Sequence, residues 1–192
     1  GVREHDWRAA VSRAVPMTAS PAETDVFHFL LPADGMATCT DKVVKALEPA
    51  AFERFRRWRA EFLAPLTPDE IRRVKALSAA AEALWQQHAT ELARVRKVTS
   101  DELHVWPDPA PNRAPTTTAQ KDATYQREML SEQVKNASPY RRLKLAMDAW
   151  CALWFWPLDQ AAHLPTGEEW WFVLETVLLG NASLEEVPPS TD

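Results

Sequence analysis

The sequence predicts a mainly α-helical domain, built on a long antiparallel helix hairpin and tryptophan-rich C-terminal helices. The chain has only 4 glycines among 192 residues, against 15 prolines. It therefore offers few of the φ > 0 turns that sandwiches and barrels need. Apolar residues recur at helical spacing along several stretches. Three of the nine tryptophans fall within residues 150–156, which favours a helix carrying an aromatic stripe.

The first part of the chain contains the best strand candidate. We expect an N-terminal arm over residues 1–24, followed by the helical domain over 25–184. Residues 26–31 are a short apolar run with β-forming residues between Asp25 and Pro32, which is typical of a strand. A lone strand is not stable without a partner, so this segment either pairs with a partner outside the chain or packs irregularly. We expect at most one short strand or hairpin.

The helix hairpin is predicted from a start signal and an apolar seam. Its first helix covers residues 49–63 and its second covers 68–98. Thr67 and Glu70 have the spacing of a capping box, with Pro68 at the first helical position. The second helix has a narrow seam of the kind used in helix pairs: Ile71, Val74, Ser78, Ala81, Trp85, His88, Leu92 and Val95.

The C-terminal half is divided by prolines. Residues 99–118 contain four prolines and no periodicity, which predicts an exposed, extended loop. A helix is expected over 119–134, and Ser138–Pro139 begins the tryptophan-rich helix. The face of that helix predicted to be buried consists of Tyr140, Leu143, Met147, Trp150, Cys151 and Trp154.

A last helix and a tail complete the chain. Thr166 and Glu169 form a second predicted capping box. The helix that follows should end at Leu179, before Gly180. Residues 185–192 are predicted to form a polar, frayed tail.

Composition excludes several classes of protein. With 46% hydrophobic and 26% charged residues, the chain is globular rather than disordered. Cys39 and Cys151 are too few for a disulfide framework and indicate free thiols. No apolar run reaches membrane-spanning length, and residues 1–20 lack the apolar core of a signal peptide. We expect a cytoplasmic protein with no membrane partner. A first residue of Gly1 instead of methionine indicates a piece of a longer protein.

No motif for cofactor binding or catalysis is present in the sequence. The four glycines are scattered, so no Gly-rich strand–turn–helix exists to bind a nucleotide or S-adenosylmethionine. HExxH, CxxC and GxSxG are also absent. The nearest match to the Pro-Pro-aromatic signature of amino-methyltransferases is Ser138-Pro139-Tyr140, which is one proline short and is interpreted as a helix cap. We expect no catalytic residue, cofactor-binding residue or metal ligand in this chain.

The histidines have structural interpretations. None of the five has a second ligand candidate at metal spacing. His88 lies on the apolar seam and is interpreted as a core histidine. Asp159 and His163 lie four residues apart and are interpreted as a local ion pair or cap.

Positive charge is concentrated in the middle of the chain. Residues 42–97 carry 12 Lys/Arg against 7 Asp/Glu, whereas residues 138–192 carry 3 against 8. Arginine and lysine at this density can replace the counterions of duplex DNA, although a solvated helix face would look the same. None has the spacing of a base-reading module. The candidate contacts to DNA phosphates are Arg54, Arg57, Arg72, Arg73 and Lys75.

Several segments, spread over about residues 25–180, carry a family resemblance. They are VFHFLLPADGMATCTDKVVKAL, WRAEFLAPLTPDEIRRVKALS, TTTAQKDATYQ, SPYRRLKLAMDAWCALWFWPLDQ and LPTGEEWWFVLETVLLG. They resemble very large adenine-specific DNA methyltransferases of type IIG restriction–modification and of DISARM- or BREX-like phage-defence systems. The resemblance implies an internal, non-catalytic accessory domain, with S-adenosylmethionine bound elsewhere in the parent protein. No catalytic residue is carried over to this chain.

Two functions remain open at this point. The domain either contacts duplex DNA, or it is a scaffold that docks onto the rest of the parent polypeptide or a partner subunit without touching DNA. Exposure of Trp170 and Trp171 and a lone strand at 26–31 would favour the scaffold. A continuous basic face on the hairpin would favour DNA, and arginines dispersed among acidic partners would favour the scaffold.

Overall fold

A computed structural model describes residues 24–101, 115–127 and 138–180, together with residues 7, 13–16, 19, 22 and 106. The described chain is mainly helical and contains no strand or sheet, which confirms the predicted fold class. Its α-helices are α1 (Lys42–Leu47), α2 (Pro49–Phe62), α3 (Pro68–Thr99), α4 (Thr118–Tyr125), α5 (Pro139–Ala152) and α6 (Gly167–Leu179). Two 3₁₀ helices cover His28–Leu30 and Leu158–His163. No described helix is both long and apolar enough to cross a membrane.

The chain forms two compact units. The first comprises Gly1–Glu82 and Leu143–Asp192, and the second comprises Ala83–Arg142. The predicted tail, 185–192, most of the N-terminal arm and most of the proline-rich loop lie outside the described residues.

Local hydrogen bonds begin the helices where the sequence predicts. The Thr67 N–H donates to Glu70 Oε2 at 2.7 Å, and the Glu70 N–H donates to Thr67 Oγ1 at 3.3 Å. Thr166 and Glu169 repeat this capping box with the same two distances. Thr117 and Gln120 form a third one, which the sequence analysis missed. It begins α4 one residue before the predicted start, and residues 128–134 of that predicted helix lie outside the described chain.

The predicted strand at 26–31 is wrong. Residues 28–30 form a 3₁₀ helix, and Phe29, Leu30 and Leu31 are buried. Side chains from helices satisfy its backbone in place of a partner strand. The Trp150 indole donates to the Leu31 carbonyl at 2.8 Å, the Trp170 indole to the Leu30 carbonyl at 3.3 Å, and the Phe27 N–H to Ser78 Oγ at 3.4 Å.

Both helices of the predicted hairpin are present, and several contacts of α2 are with C-terminal segments. In the first unit, Ala51 and Phe55 of α2 pack with Ala161 of the second 3₁₀ helix. The Trp58 indole donates to the Pro165 carbonyl at 2.7 Å. Further along α2, the rings of Phe62 and Trp170 lie 6.2 Å apart. These contacts join α2 to the C-terminal part of the same unit.

The predicted buried face of α5 is only partly right. Leu143 is buried as expected, but Tyr140, Met147 and Cys151 are exposed. Ala146, on the helix, and Leu153, just past its end, are buried in their place. The helix is turned so that the Trp150 indole reaches the Leu31 carbonyl. Trp150 and Trp154 are therefore half-buried, and the prediction of a buried Trp154 holds only in part.

The expected exposure of Trp170 and Trp171 is also wrong. Their side chains are 3% and 2% exposed, because α6 turns both into the first unit. The Trp171 indole donates to Glu70 Oε1 at 3.2 Å. The two expectations that favoured an interface here, exposed tryptophans and a lone strand, are thus both removed.

In the second unit, an ion pair lies beside the predicted loop. Asp101 accepts from the Thr116 N–H at 2.8 Å and from Lys121 Nζ at 2.5 Å. Asp101 therefore joins the two sides of the proline-rich segment. In the same unit, His88 is half-buried, with its ring 5.3 Å from that of Tyr140 and 6.2 Å from that of Trp85. Aromatic packing of this kind agrees with a structural histidine.

Candidate functional site

On α2, an acidic side chain lies among the arginines that are predicted to contact phosphate. Arg54 and Arg57 are exposed, as phosphate contacts must be. Between them, Arg56 forms a bidentate pair with Glu53 at 2.9 and 2.6 Å. The Arg56 hydrogen bond, with a smaller contribution from the charge of Arg57, holds the pKa of Glu53 below its ordinary value. Glu53 therefore stays ionised on this face and offsets part of its positive charge.

On α3, the three predicted contacts have different surroundings. Arg72 is exposed and forms an ion pair with Asp69 of the same helix. Lys75 is exposed and forms no ion pair with another described residue. Arg73 is half-buried and points to α6.

Arg73 joins two helices and is not a free cation. Its Nη1 lies 2.9 and 3.1 Å from the two carboxylate oxygens of Glu168, and its Nε lies 2.9 Å from Glu175 Oε1. Hydrogen bonds that Arg73 donates to Glu168 first, and then to Glu175, raise the pKa of Arg73 above its ordinary value. The guanidinium is therefore held charged between two carboxylates, an arrangement that competes with any external phosphate.

The structure brings Arg72 and Arg73 together at one open cleft. Its volume is about 560 Å³, and its lining comes from Thr67, the first two turns of α3 and the first turn of α6. Glu70 at its wall accepts hydrogen bonds from Thr67 and Trp171. Both arginines in the cleft are already paired with carboxylates, so the cleft offers an anion no unpaired guanidinium. Its lining residues are Thr67, Asp69, Glu70, Arg72, Arg73 and Glu168.

The structure also describes the other residues that the sequence analysis considered. The Ser138 Oγ accepts from the Arg141 N–H at 3.2 Å, which confirms the helix cap. Asp159 and His163 are both exposed on the second 3₁₀ helix and form no ion pair with each other. No group of three or more His, Cys, Asp and Glu among the described residues has the geometry to hold a metal ion.

Sequence reasoning missed three exposed apolar residues of α6. Phe172 is 66% exposed, Leu179 is 44% exposed and Val173 is 37% exposed. Phe172 and Leu179 lie seven residues apart and so share one helix face. The signal was present in the sequence, because apolar residues occur on every side of this helix, a pattern expected of a helix covered all round.

Comparison with known proteins gives no match. No protein family, no curated protein and no solved structure is similar to the chain at a significant level. Two features of the described chain bear on function: the interrupted basic surface of α2 and α3, and the exposed apolar residues of α6.

Proposed function

We propose that the chain is a non-catalytic helical accessory domain of a bacterial DNA-modifying protein, and that it acts as a protein-interaction scaffold. The segments quoted above, which resemble large adenine-specific DNA methyltransferases, support the kind of parent protein. S-adenosylmethionine would bind to another part of that parent. The domain would dock onto the rest of the parent polypeptide or onto a partner subunit.

The double ion pair of Arg73 is the observation that carries the choice of a scaffold. An arginine poised for DNA phosphates is expected to be exposed and available, because binding comes from releasing counterions from the nucleic acid. Arg73 instead bridges Glu168 and Glu175 at 2.9 Å each and is only 33% exposed. Arg72 is paired with Asp69. Dispersal of arginines among acidic partners is the pattern that favours a scaffold over a DNA clamp.

Contact with DNA phosphates is the second candidate. Arg54 and Lys75 are exposed and form no ion pair with other described residues, and Arg57, three residues after Arg54, is also exposed. Such residues would bind the backbone without reading sequence. The acidic C-terminal third of the chain, with 3 Lys/Arg against 8 Asp/Glu over 138–192, would weaken that binding.

A duplex titration separates the two candidates. Labelled duplex DNA is titrated with the chain at about 50 and about 200 mM salt, a range over which phosphate-dominated binding falls by orders of magnitude. The scaffold function predicts no binding at either salt. Salt-sensitive binding that is lost in Arg54→Glu/Arg57→Glu, but retained in the control Arg72→Glu, would replace the scaffold with the DNA clamp.

A positive test uses the rest of the parent protein. The remaining part of the polypeptide encoded by the same gene is produced separately and mixed with this chain. Light scattering after size exclusion should then show a one-to-one complex. A parent that elutes apart from the chain would refute docking onto the rest of the parent polypeptide.

A further inference from the structure

A single turn, residues 34–37, joins three parts of the first unit. Its last residue, Ala37, is only 1% exposed. The Ala37 N–H donates to the carbonyl of Leu153, just past the end of α5, at 2.8 Å. The turn therefore closes over an apolar cluster that α2 and the second 3₁₀ helix also form. The other buried members of that cluster are Ala51, Phe55 and Ala161.

The backbone of this turn is held in a conformation that alanine disfavours. Ala37 has a φ of +45° and is the one residue other than glycine in the described chain with a positive φ. In the left-handed region the Cβ of an L-residue crowds the following carbonyl oxygen, whereas glycine makes no such contact. Gly35, two residues earlier, also has a positive φ of 98°. Burial of the Ala37 methyl group and its hydrogen bond to Leu153 hold the turn closed against this strain.

A second unfavourable feature lies against the same turn. The indole N–H of Trp154 is buried and has no hydrogen-bond partner within the described chain. The ring of Trp154 packs on Gly35, since a Cβ added there would lie 2.9 Å from Cζ3. By contrast, the indoles of Trp58, Trp150 and Trp170 all donate to backbone carbonyls. A buried donor without a partner has lost its hydrogen bonds to water, so it destabilises the closed turn.

We propose that residues 34–37 form a latch, which opens by local unfolding while the helices of the first unit stay folded. Opening relieves both unfavourable features at once, because Ala37 can leave the left-handed region and water can reach the Trp154 N–H. Strained and incompletely hydrogen-bonded segments belong to the low-stability end of a fold, from which moving elements are drawn. The open state exposes Met36, which is fully buried in the closed one, and uncovers Phe55. The first unit thus has a second conformation with more apolar surface, independently of the scaffold function.

Native-state hydrogen exchange, followed by NMR in heavy water, measures the opening directly. After correction for intrinsic rates, the Ala37 amide and the Trp154 indole N–H should exchange through one shared opening. That opening should be at least about tenfold more frequent than the one that exposes the Leu174 amide in α6, and should depend little on urea, because local opening exposes little surface. Leu174 is the reference because it is 0% exposed.

Two results would overturn the proposal. An Ala37 amide that exchanges only on global unfolding would show that the turn does not open by itself. A Trp154 indole N–H that exchanges far more readily than the Ala37 amide would show that water reaches it while the turn is closed.

Two matched variants test whether the strain at Ala37 drives the opening. Ala37→Gly and Ala161→Gly each remove one methyl group from the same apolar cluster, but only Ala37→Gly relieves a positive φ. The opening equilibrium constant, measured at the amide of residue 37, should therefore be about fivefold smaller in Ala37→Gly than in Ala161→Gly. An equal or larger constant in Ala37→Gly would overturn the latch. Both variants should retain the wild-type circular dichroism, and the wild-type exchange decides the proposal if either fails to fold.

Discussion

At the scale of single residues, Gly35 sets the position of a tryptophan. Its φ of +98° is in the left-handed region, and a Cβ built on it would lie 2.9 Å from Trp154 Cζ3. Any side chain here meets both backbone strain and an indole ring. Trp154 has little freedom to move away, because its neighbour Leu153 is buried and accepts a backbone hydrogen bond from Ala37 at 2.8 Å.

We expect Gly35→Ala to lower the free energy of unfolding by about 1–3 kcal/mol. Gly167→Ala is the matched control, since nothing lies within 4 Å of its added Cβ. That change should be neutral or should stabilise by up to about 1 kcal/mol, because alanine restricts the unfolded chain. Urea unfolding of the two variants measures both effects. Equal unfolding midpoints in the two variants would contradict the close packing of Gly35 and Trp154.

Asp101 gives the second unit a predicted pH dependence. Hydrogen bonds from Lys121 first and then from the Thr116 N–H lower the pKa of Asp101 from 3.8 to about 2. A carboxyl group with a lowered pKa in the folded state contributes stability above its unfolded pKa. The contribution is therefore complete above about pH 4, and is lost as the pH falls towards 2.

Asp101→Asn should lower the melting temperature at neutral pH, and the difference from wild type should shrink between pH 4 and pH 2. Asp122→Asn is the control, because Asp122 is exposed on α4 and its side-chain carboxylate accepts no described hydrogen bond. Melting followed by circular dichroism across that pH range measures the difference. A difference that is constant with pH would show that the Asp101 carboxylate does not provide this stability.

At the scale of elements, Arg73 and Arg72 are neighbours with different structural roles. Arg73 ties α3 to α6 through Glu168 and Glu175, whereas Arg72 pairs within its own helix. Exposed ion pairs contribute little, typically about 0–1 kcal/mol. Arg73→Gln should cost about 1 kcal/mol, at the upper end of that range, because the side chain is two-thirds buried and holds two carboxylates. Arg72→Gln should cost close to nothing.

A double-mutant cycle measures the tie between the helices. Glu175→Gln is combined with Arg73→Gln and, separately, with Arg72→Gln, and stability is followed by urea unfolding. Coupling with Arg73 and additivity with Arg72 are the expected results. Additivity in both cycles would mean that the Arg73–Glu175 ion pair contributes nothing to stability. Arg73 would then be free to contact an external anion.

The helix starts could be predicted because their hydrogen bonds are local. Thr67 with Glu70 and Thr166 with Glu169 are each three residues apart, so the sequence alone specifies the capping box. The orientation of α5 could not be predicted in this way. Apolar residues lie on both of its sides, and the choice depends on Trp150 reaching a carbonyl at Leu31, which lies 119 residues earlier in the chain.

The sequence could identify the residues of the candidate site. It could not show whether their side chains are free to bind a ligand. Arginine-rich sequence identified Arg72 and Arg73, but the carboxylates that neutralise Arg73 lie 95 and 102 residues away. No local sequence pattern predicts an ion pair between residues so far apart in the chain. In the same way, the sequence alone does not show whether Trp170 and Trp171 lie on the surface or in the core. Their indole hydrogen bonds to Leu30 and Glu70 hold them in the core.

At the scale of the whole molecule, tryptophan side chains provide hydrogen bonds to backbone carbonyls that a partner strand would provide in a sheet. Indole N–H groups donate to the carbonyls of Leu30, Leu31, Gln160 and Pro165. Buried carbonyls require such partners. The accepting carbonyls lie in, or next to, the two 3₁₀ helices. Trp58, Trp150 and Trp170 are therefore explained by their hydrogen bonds within the fold.

The glycines lead to the last prediction, that the isolated chain binds no S-adenosylmethionine. Sites for such cofactors in doubly wound folds place several glycines between a strand and a helix, where the backbone approaches the ligand closely. Each of the three described glycines has a different structural role in this chain. Gly35 lies against Trp154, Gly167 begins α6, and Gly180 ends it with a left-handed φ of 73°. The described residues also include no strand to which such a turn could attach.

Isothermal titration calorimetry of the chain with S-adenosylmethionine should therefore show no heat beyond dilution, and the cofactor should leave the melting temperature unchanged. A chain loaded with even a weak ligand at about 100 times its Kd would gain about 2.7 kcal/mol of stability, so the melting shift is a sensitive second readout. The matched arm is the parent protein, in which the same titration should give binding. Micromolar binding to this chain alone would require a cofactor site built without a glycine-rich turn, and an accessory role would then no longer account for the domain.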